Sequence, residues 1–444
     1  MRRRFGLVFA VSLVSFAAQA ETVSTFQLEN GLDVVVIEDH RSPLVSQMVW
    51  YRAGAADEAP GKSGIAHFLE HLMFKGTDDL DPGEFSTIVE AQGGEENAFT
   101  SWDYTAYFQQ VASDRLDLMM KLEADRMRDL RLAEADVVTE RQVILEERNQ
   151  RTDSDPAALL NEQIYAALFQ NLRYGVPIIG WRHEMETLSR QDALDWYSRY
   201  YAPNNAFLVV AGDVLPDDVR KLAQLHYGAL QPSAGLTPRL RPTEPPQLAE
   251  RRLALADVRV SQPYVSRLYL ADERNSGDQK TAAALAILSQ LLGGSGTTSI
   301  LARALQFDTQ TAVYSTAFYD GTAIDSAIFG VGVIPVPGVS LQEVETAMDG
   351  VIAKFLTDGV EPEAFARIKT QIAAAEIYAR DDVDGLARKY GEALAIGLTV
   401  EDVQAWPGVL QSVTPEDVMI AANKLFDKRR AVTGWLTKEE GAGQ

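Results

Sequence analysis

Apolar and polar residues alternate, or apolar residues run in short blocks, through the opening stretch of the chain. Residues 24–28, 32–38 and 44–51 therefore read as strands, and Asn30-Gly31 between the first two is a hairpin turn signal. The period then lengthens to that of a helix over residues 64–74, 82–91, 113–128 and 133–151. Between those helices, residues 97–111 are rich in Thr, Tyr and Phe and predict a strand or paired strands. Further on, residues 190–200 predict a helix and 206–212 an apolar strand that ends at Gly212-Asp213.

Residues 231–248 break the pattern, with five prolines and no apolar periodicity, and read as a linker. The order of elements then repeats. A strand at 264–270, the loop Ser276-Gly277-Asp278 and a helix at 281–292 ending in Gly293-Gly294 echo the strand to Tyr51, the loop Pro60-Gly61-Lys62-Ser63 and the helix 65–74 ending at Gly76. The expectation is an α+β protein of two related α/β modules, 21–230 and 249–438, joined by the linker. Each module would be a mixed, largely antiparallel sheet with helices packed on it.

Composition is consistent with this picture and adds a leader. At 444 residues, with 46% hydrophobic and 23% charged, the chain fits two folded domains. Residues 1–20 carry Arg2-Arg3-Arg4, an apolar run over 5–18, and Ala18-Gln19-Ala20. That is the pattern of a signal peptide cut after Ala20, placing the protein in the periplasm or outside the cell. A run of 14 residues falls short of the roughly 20 that span a bilayer, so no stable membrane insertion is expected once the leader is removed. The chain has no cysteine, so an oxidising compartment imposes no disulfide. Losing the leader removes three arginines and no acid, leaving 38 basic against 63 acidic residues, a net charge of −25. Nucleic acid is excluded as a partner on that balance. An acidic surface favours cationic peptides but more commonly serves solubility, so charge does not name a substrate.

The chemistry concentrates in Gly64-Ile65-Ala66-His67-Phe68-Leu69-Glu70-His71, which holds two of only five histidines. Four residues apart on a helix, His67 and His71 project from one face and can grip one metal ion. Glu70 borders that face, where a carboxylate can take a proton from water on the metal without being a ligand. The order His-x-x-Glu-His is that of the inverted zincins. A third ligand must come from farther away, and Glu140, Val143, Ile144 and Glu147 share one face of the helix 133–151. Glu147 is assigned as ligand and Glu140 as a carboxylate that orients a histidine through its other ring nitrogen. Spacing alone leaves the reverse assignment open. Glu146, about 100° round the helix from Glu147, is expected in solvent.

These residues resemble the pitrilysin or insulinase-type zinc metallopeptidases, especially the branch of mitochondrial processing peptidase and its bacterial relatives. The resemblance rests on residues 63–71, on Glu140-Arg141-Gln142-Val143-Ile144-Leu145-Glu146-Glu147, on Tyr174-Gly175-Val176-Pro177-Ile178-Ile179-Gly180-Trp181, and on Pro203-Asn204-Asn205-Ala206 running into Gly212-Asp213. It implies the metallohydrolase fold shared by LuxS and that peptidase, one Zn2+ per chain, and Glu147 as the third ligand. It also implies that Asn97-Ala98-Phe99-Thr100 is an edge strand carrying the peptide substrate, which makes physical sense because an extended peptide can add to a sheet edge. In members that act alone, an Arg and a Tyr of the second half steady the substrate carbonyl. Tyr314 matches the Tyr, but Gln306 or Phe307 stands where the Arg belongs, and Arg303 comes one turn too early. The resemblance therefore implies a homologous partner subunit lacking zinc ligands, or failing that a homodimer. The second half cannot bind metal itself, since Leu285 and Ser289 stand opposite His67 and His71.

Two rival readings are weighed against this one. Residues 56–63 satisfy a loose phosphate-loop pattern, but Asp57 and Glu58 would repel phosphate, and Ser63 is expected instead to cap the histidine helix. The other rival is a catalytically silent assembly subunit of the same family, which would have no reason to keep a full ligand set. His40, His183 and His226 carry no motif and are expected to be structural or solvated.

Overall fold

The computed structural model describes residues 22–239, 241–294 and 296–439; the expected leader, 1–20, lies outside them. The first half supplies β1 (Thr22–Gln27), β2 (Asp33–Glu38), β3 (Leu44–Tyr51), α1 (Ile65–Leu72), β4 (Gly76–Thr77), α2 (Glu84–Ala91), β5 (Glu95–Thr100), β6 (Thr105–Ala112), α3 (Leu116–Arg128), β7 (Leu130–Arg131) and α4 (Glu134–Arg148). After a π-helical turn at Asn149–Asp153 come α5 (Pro156–Leu168), α6 (Arg182–Met185), α7 (Arg190–Tyr200), β8 (Ala206–Gly212) and α8 (Pro216–His226). The second half supplies β9 (Arg251–Asp257), β10 (Tyr264–Ala271), α9 (Lys280–Ser289), β11 (Ala312–Asp320), β12 (Ala327–Pro335), α10 (Leu341–Asp358), α11 (Pro362–Tyr378), α12 (Val383–Ala395), α13 (Val400–Ser412), α14 (Pro415–Leu425) and β13 (Ala431–Lys438).

Among the described residues the strands form two principal sheets and a small β4–β7 pair. The first sheet runs β1-β2-β8-β3-β6-β5 and the second β11-β12-β10-β13-β9. In the first only β2 and β8 are parallel; in the second only β13 and β9 are. Written from the opposite edge, the second order repeats the first without its outermost strand: β9-β13-β10-β12-β11 lies over β2-β8-β3-β6-β5. The fold is α+β and the two halves are related. The long central strands β3 and β8 are almost wholly buried, with helices covering both faces of the sheet.

The modules are less separate than the sequence implies, because each sheet borrows a helix from the other half. Val383, Leu386, Ala387 and Tyr390 of α12 pack on Val35, Met48, Trp50, Phe207 and Val209 of the first sheet. Reciprocally, Leu160, Ile164 and Leu168 of α5 pack on Leu268, Val432 and Leu436 of the second. Glycine makes both approaches close enough. A Cβ on Gly391 would stand 2.0 Å from the Trp50 ring, and one on Gly434 2.4 Å from Ile164 Cδ1. The described residues of 231–248 form neither helix nor strand and are tied to both halves. Arg239 pairs with Asp57 of the first half, and Arg241 binds Asp103 of the first half at 2.7 Å and Asp325 of the second at 3.3 Å.

Candidate metal centre

The histidine helix α1 is placed by its first turn. Gly64 adopts φ +88°, and a Cβ there would meet Met185 and the Ile179 carbonyl, so only glycine fits. Ser63 does not cap the helix, contrary to expectation: its Oγ accepts from the Trp181 amide at 2.9 Å. The cap is Glu58, whose carboxylate accepts from the amides of Gly64 and Ala66, each at 3.0 Å. A negative group at a helix start is favoured by the orphan amides there, yet burial still pushes the Glu58 carboxyl up to about 8. Gly180 packs against Ser63, a close approach that explains why a Gly precedes Trp181 in the chain.

From this helix His67 and His71 face α4. Glu147 Oε2 lies 3.3 Å from His71 Nε2 and 3.8 Å from His67 Nε2. One ligand atom from each of the three residues falls within 4.8 Å of the other two, and among the described residues this is the one such group of His, Cys, Asp or Glu. Tetrahedral coordination at ordinary zinc bond lengths spaces ligand atoms about 3.3 Å apart. The donor chemistry also fits a metal. Glu147 Oε2, turned toward both imidazoles, is buried without a hydrogen-bond partner among the described residues. Burial holds the His67 imidazole well below its ordinary value, and a neutral imidazole is the form that ligates.

Supporting groups surround the three. His71 Nδ1 bonds Glu140 Oε1 at 2.9 Å, and Lys75 Nζ lies 2.5 Å from Glu140 Oε2. Burial opposes a charge on His71, but the carboxylates of Glu140 and Glu147 raise it to about 9. Arg151 Nη1 holds the other oxygen of Glu147, Oε1, at 2.7 Å. Glu70 is buried beside the cluster, its carboxyl raised by that burial, and it accepts from Thr100 Oγ1 at 2.5 Å through Oε2.

The face of α4 differs from the helical-wheel reading in one residue. Glu140, Ile144 and Glu147 turn inward, whereas Val143 is 47% exposed. Glu146 is exposed, as its angle around the helix requires. Asn97 and Ala98 lie on β5, which is the outermost strand of its sheet next to β6. Tyr314 belongs to the second half. It sits on β11, the edge of the second sheet, 53% exposed, while the Gln306 amide bonds Ser315 Oγ and Arg303 pairs with Glu361. The opposed residues Leu285 and Ser289 are buried in α9. His40, His183 and His226 sit next to Asp213, Glu184 and Asp117 respectively and are not part of the three-residue group.

Sequence reasoning missed Lys75 and Arg151, and missed the contacts that Glu58 and Thr100 make with α1. The first two had a signal, since each lies four residues beyond a residue of the cluster, His71 and Glu147. The others reach α1 from a loop and from a strand, and no local spacing encodes that.

The family model described as Insulinase (Peptidase family M16) matches residues 33–181, and that described as Peptidase M16 inactive domain matches 187–372. The zinc protease PqqE of Helicobacter pylori is 35% identical over 283 residues, 63% of this chain and 62% of that protein, so the match spans less than two thirds of this relative. An uncharacterised zinc protease of Mycobacterium leprae is 30% identical over 421 residues, 93% of this chain and 91% of that one. The crystal structure of a protease from Helicobacter pylori superposes with a TM-score of 0.87 at 28% identity, covering 94% of this chain and all of that one.

Proposed function

The chain belongs to the insulinase family of peptidases, M16, and from that premise we propose that it is a zinc-dependent endopeptidase acting on oligopeptides and unfolded segments. What supports the reading most is a single geometric fact: Glu147 Oε2 faces both Nε2 atoms of His67 and His71, with the buried carboxylate of Glu70 on the same helix as the histidines. A zinc ion held by His67, His71 and Glu147 would supply Lewis acidity toward water and the scissile carbonyl.

The chain's own residues do the rest. Glu140 accepts the Nδ1 proton of His71 and so aims its Nε2 at the cluster, with Lys75 holding the far oxygen of Glu140. Arg151 holds Glu147 Oε1, leaving Oε2 turned inward. Glu70 is the general base. Its Oε2 accepts from Thr100, and the carboxylate takes the proton from the attacking water and delivers it to the departing amine. The free edge of β5, at Asn97 and Ala98, binds the peptide through main-chain hydrogen bonds, which demands an extended chain and little sequence preference.

A partner chain follows from the second half. Gln306, where the family's Arg belongs, is an amide bound to Ser315, and the nearby cation, Arg303, is paired with Glu361 at 3.2 Å. We infer that a homologous chain without zinc ligands, or a second copy, completes the site. The signal-like residues 1–20 support action in the periplasm or outside the cell; among the described residues no helix is long and apolar enough to cross a membrane.

The test is zinc content and cleavage of an unfolded peptide by the wild type and Glu70→Gln. Zinc retained with cleavage lost in the variant supports the reading. A well-folded wild type without zinc would favour the silent assembly subunit.

A further inference from the structure

We propose that Thr100 is a positioning residue of the peptidase reaction, its hydroxyl fixing the Glu70 carboxylate and tying the base to the sheet edge on which a peptide docks. This inference rests on the function proposed above.

Thr100 is the last residue of β5, the outermost strand, and pairs with Thr105 of β6. Side chains alternate along a strand, so neighbours on β5 face opposite ways. Ala98 packs with the core that includes α1, and Thr100 reaches Glu70 on that same side. Phe99 points to the other face, edge-on to Trp50 and under the Arg388 guanidinium of α12 at 4.0 Å. The strand is thus held between the catalytic helix and a helix contributed by the second half.

Thr100 has one hydroxyl proton to give. Glu70 Oε2 lies at 2.5 Å and Thr105 Oγ1 at 3.5 Å, so the proton goes to Glu70. Thr105 in turn donates to the Ala53 carbonyl at 3.1 Å and does not compete for the carboxylate. A β-branched side chain on a strand has few χ1 choices, so the donor is held as firmly as the backbone that carries it. A charge-assisted bond of this length restricts rotation of the carboxylate. Any displacement of β5 on pairing with a peptide is carried directly to Glu70.

The experiment compares wild type, Thr100→Val, Thr100→Ser and Glu70→Gln as full chains on a fluorogenic oligopeptide, with zinc content and melting temperature measured for each. Valine keeps the shape and removes the donor. The expected result is a kcat about tenfold to a hundredfold lower with KM within about twofold, because the base is misplaced while binding is intact. Serine should restore most of the kcat, and zinc content should be equal in all four. If Thr100→Val does not fold, Thr100→Ala is held to the same expectation. Wild-type kcat in the donor-less variant, or serine as impaired as valine, overturns the inference alone. A wild type with no Glu70-dependent cleavage overturns the proposed function and the inference with it.

Discussion

Gly391→Ala should weaken the protein although it replaces glycine in the middle of a helix. In an unhindered helix interior that change gains about 1 kcal/mol. Here the added Cβ would lie 2.0 Å from Trp50 Cε2, 2.1 Å from Cζ2 and 2.4 Å from Nε1. Trp50 has no room to yield: it is fully buried, stacked on Phe207 with centroids 5.9 Å apart, and edged by Tyr104 and Phe99 at 5.1 and 5.3 Å. Overpacking of a rigid core site costs about 3 kcal/mol at the upper end of the ordinary range, leaving a net loss of about 2 kcal/mol. Gly434→Ala is the internal control. Its Cβ meets Ile164 Cδ1 at 2.4 Å and Cγ1 at 3.0 Å, aliphatic side-chain atoms and not a ring wedged among other rings, so the cost should be smaller, about 1 kcal/mol. Equilibrium urea unfolding followed by circular dichroism reads both. A Gly391→Ala protein more stable than wild type would show that α12 does not lie on Trp50, and the exchange of helices between the two sheets would be wrong.

Two further outcomes follow from the hydrogen bonds around the site and the second half. Glu140→Ala should cost about tenfold to a hundredfold in zinc affinity, read by competition with a chelator, because His71 loses the group that aims it; unchanged affinity would remove Glu140 from that role. Burial favours the neutral form of Asp402, but Ser276, Gly277 and Thr399 donate to its carboxylate and hold it at about 2, below its ordinary 3.8. A depressed acid adds stability that is present above pH 3.8 and disappears as pH falls through about 2. The melting temperature of Asp402→Asn should therefore sit below that of wild type at pH 7, with the gap narrowing from pH 4 toward 2; a gap independent of pH would refute the assignment.

The parts of this protein legible in the sequence are those written by local period. The β3-to-α1 order and its repeat at β10-to-α9 lie close to the ranges read from hydrophobic pattern, because buried central strands and amphipathic helices leave strong local signals. The His67, His71 and Glu70 grouping is likewise a matter of one helical turn. Glu147 needed the register of a second helix, and there the wheel erred at Val143, since the neighbour that decides which side of α4 is covered is α1, far off in the chain. What the sequence did not reveal is contact between distant segments. The cap on α1 comes from Glu58 and not from the adjacent Ser63, because a longer side chain from the preceding loop reaches the free amides of Gly64 and Ala66. The packing of α12 on the first sheet depends on two surfaces more than 300 residues apart, Trp50 and Gly391, and a glycine in a helical pattern carries no sign of the ring it accommodates.

The central claim is that His67, His71 and Glu147 hold one zinc ion beside Glu70. Anomalous diffraction on either side of the zinc absorption edge, from crystals of protein purified without added metal, tests it most directly. The account predicts one peak per chain, about 2.0–2.2 Å from an Nε2 atom of each histidine and a carboxylate oxygen of Glu147, with Glu70 outside the ligand set. A peak elsewhere, or one that Glu70 ligates in place of Glu147, would contradict it.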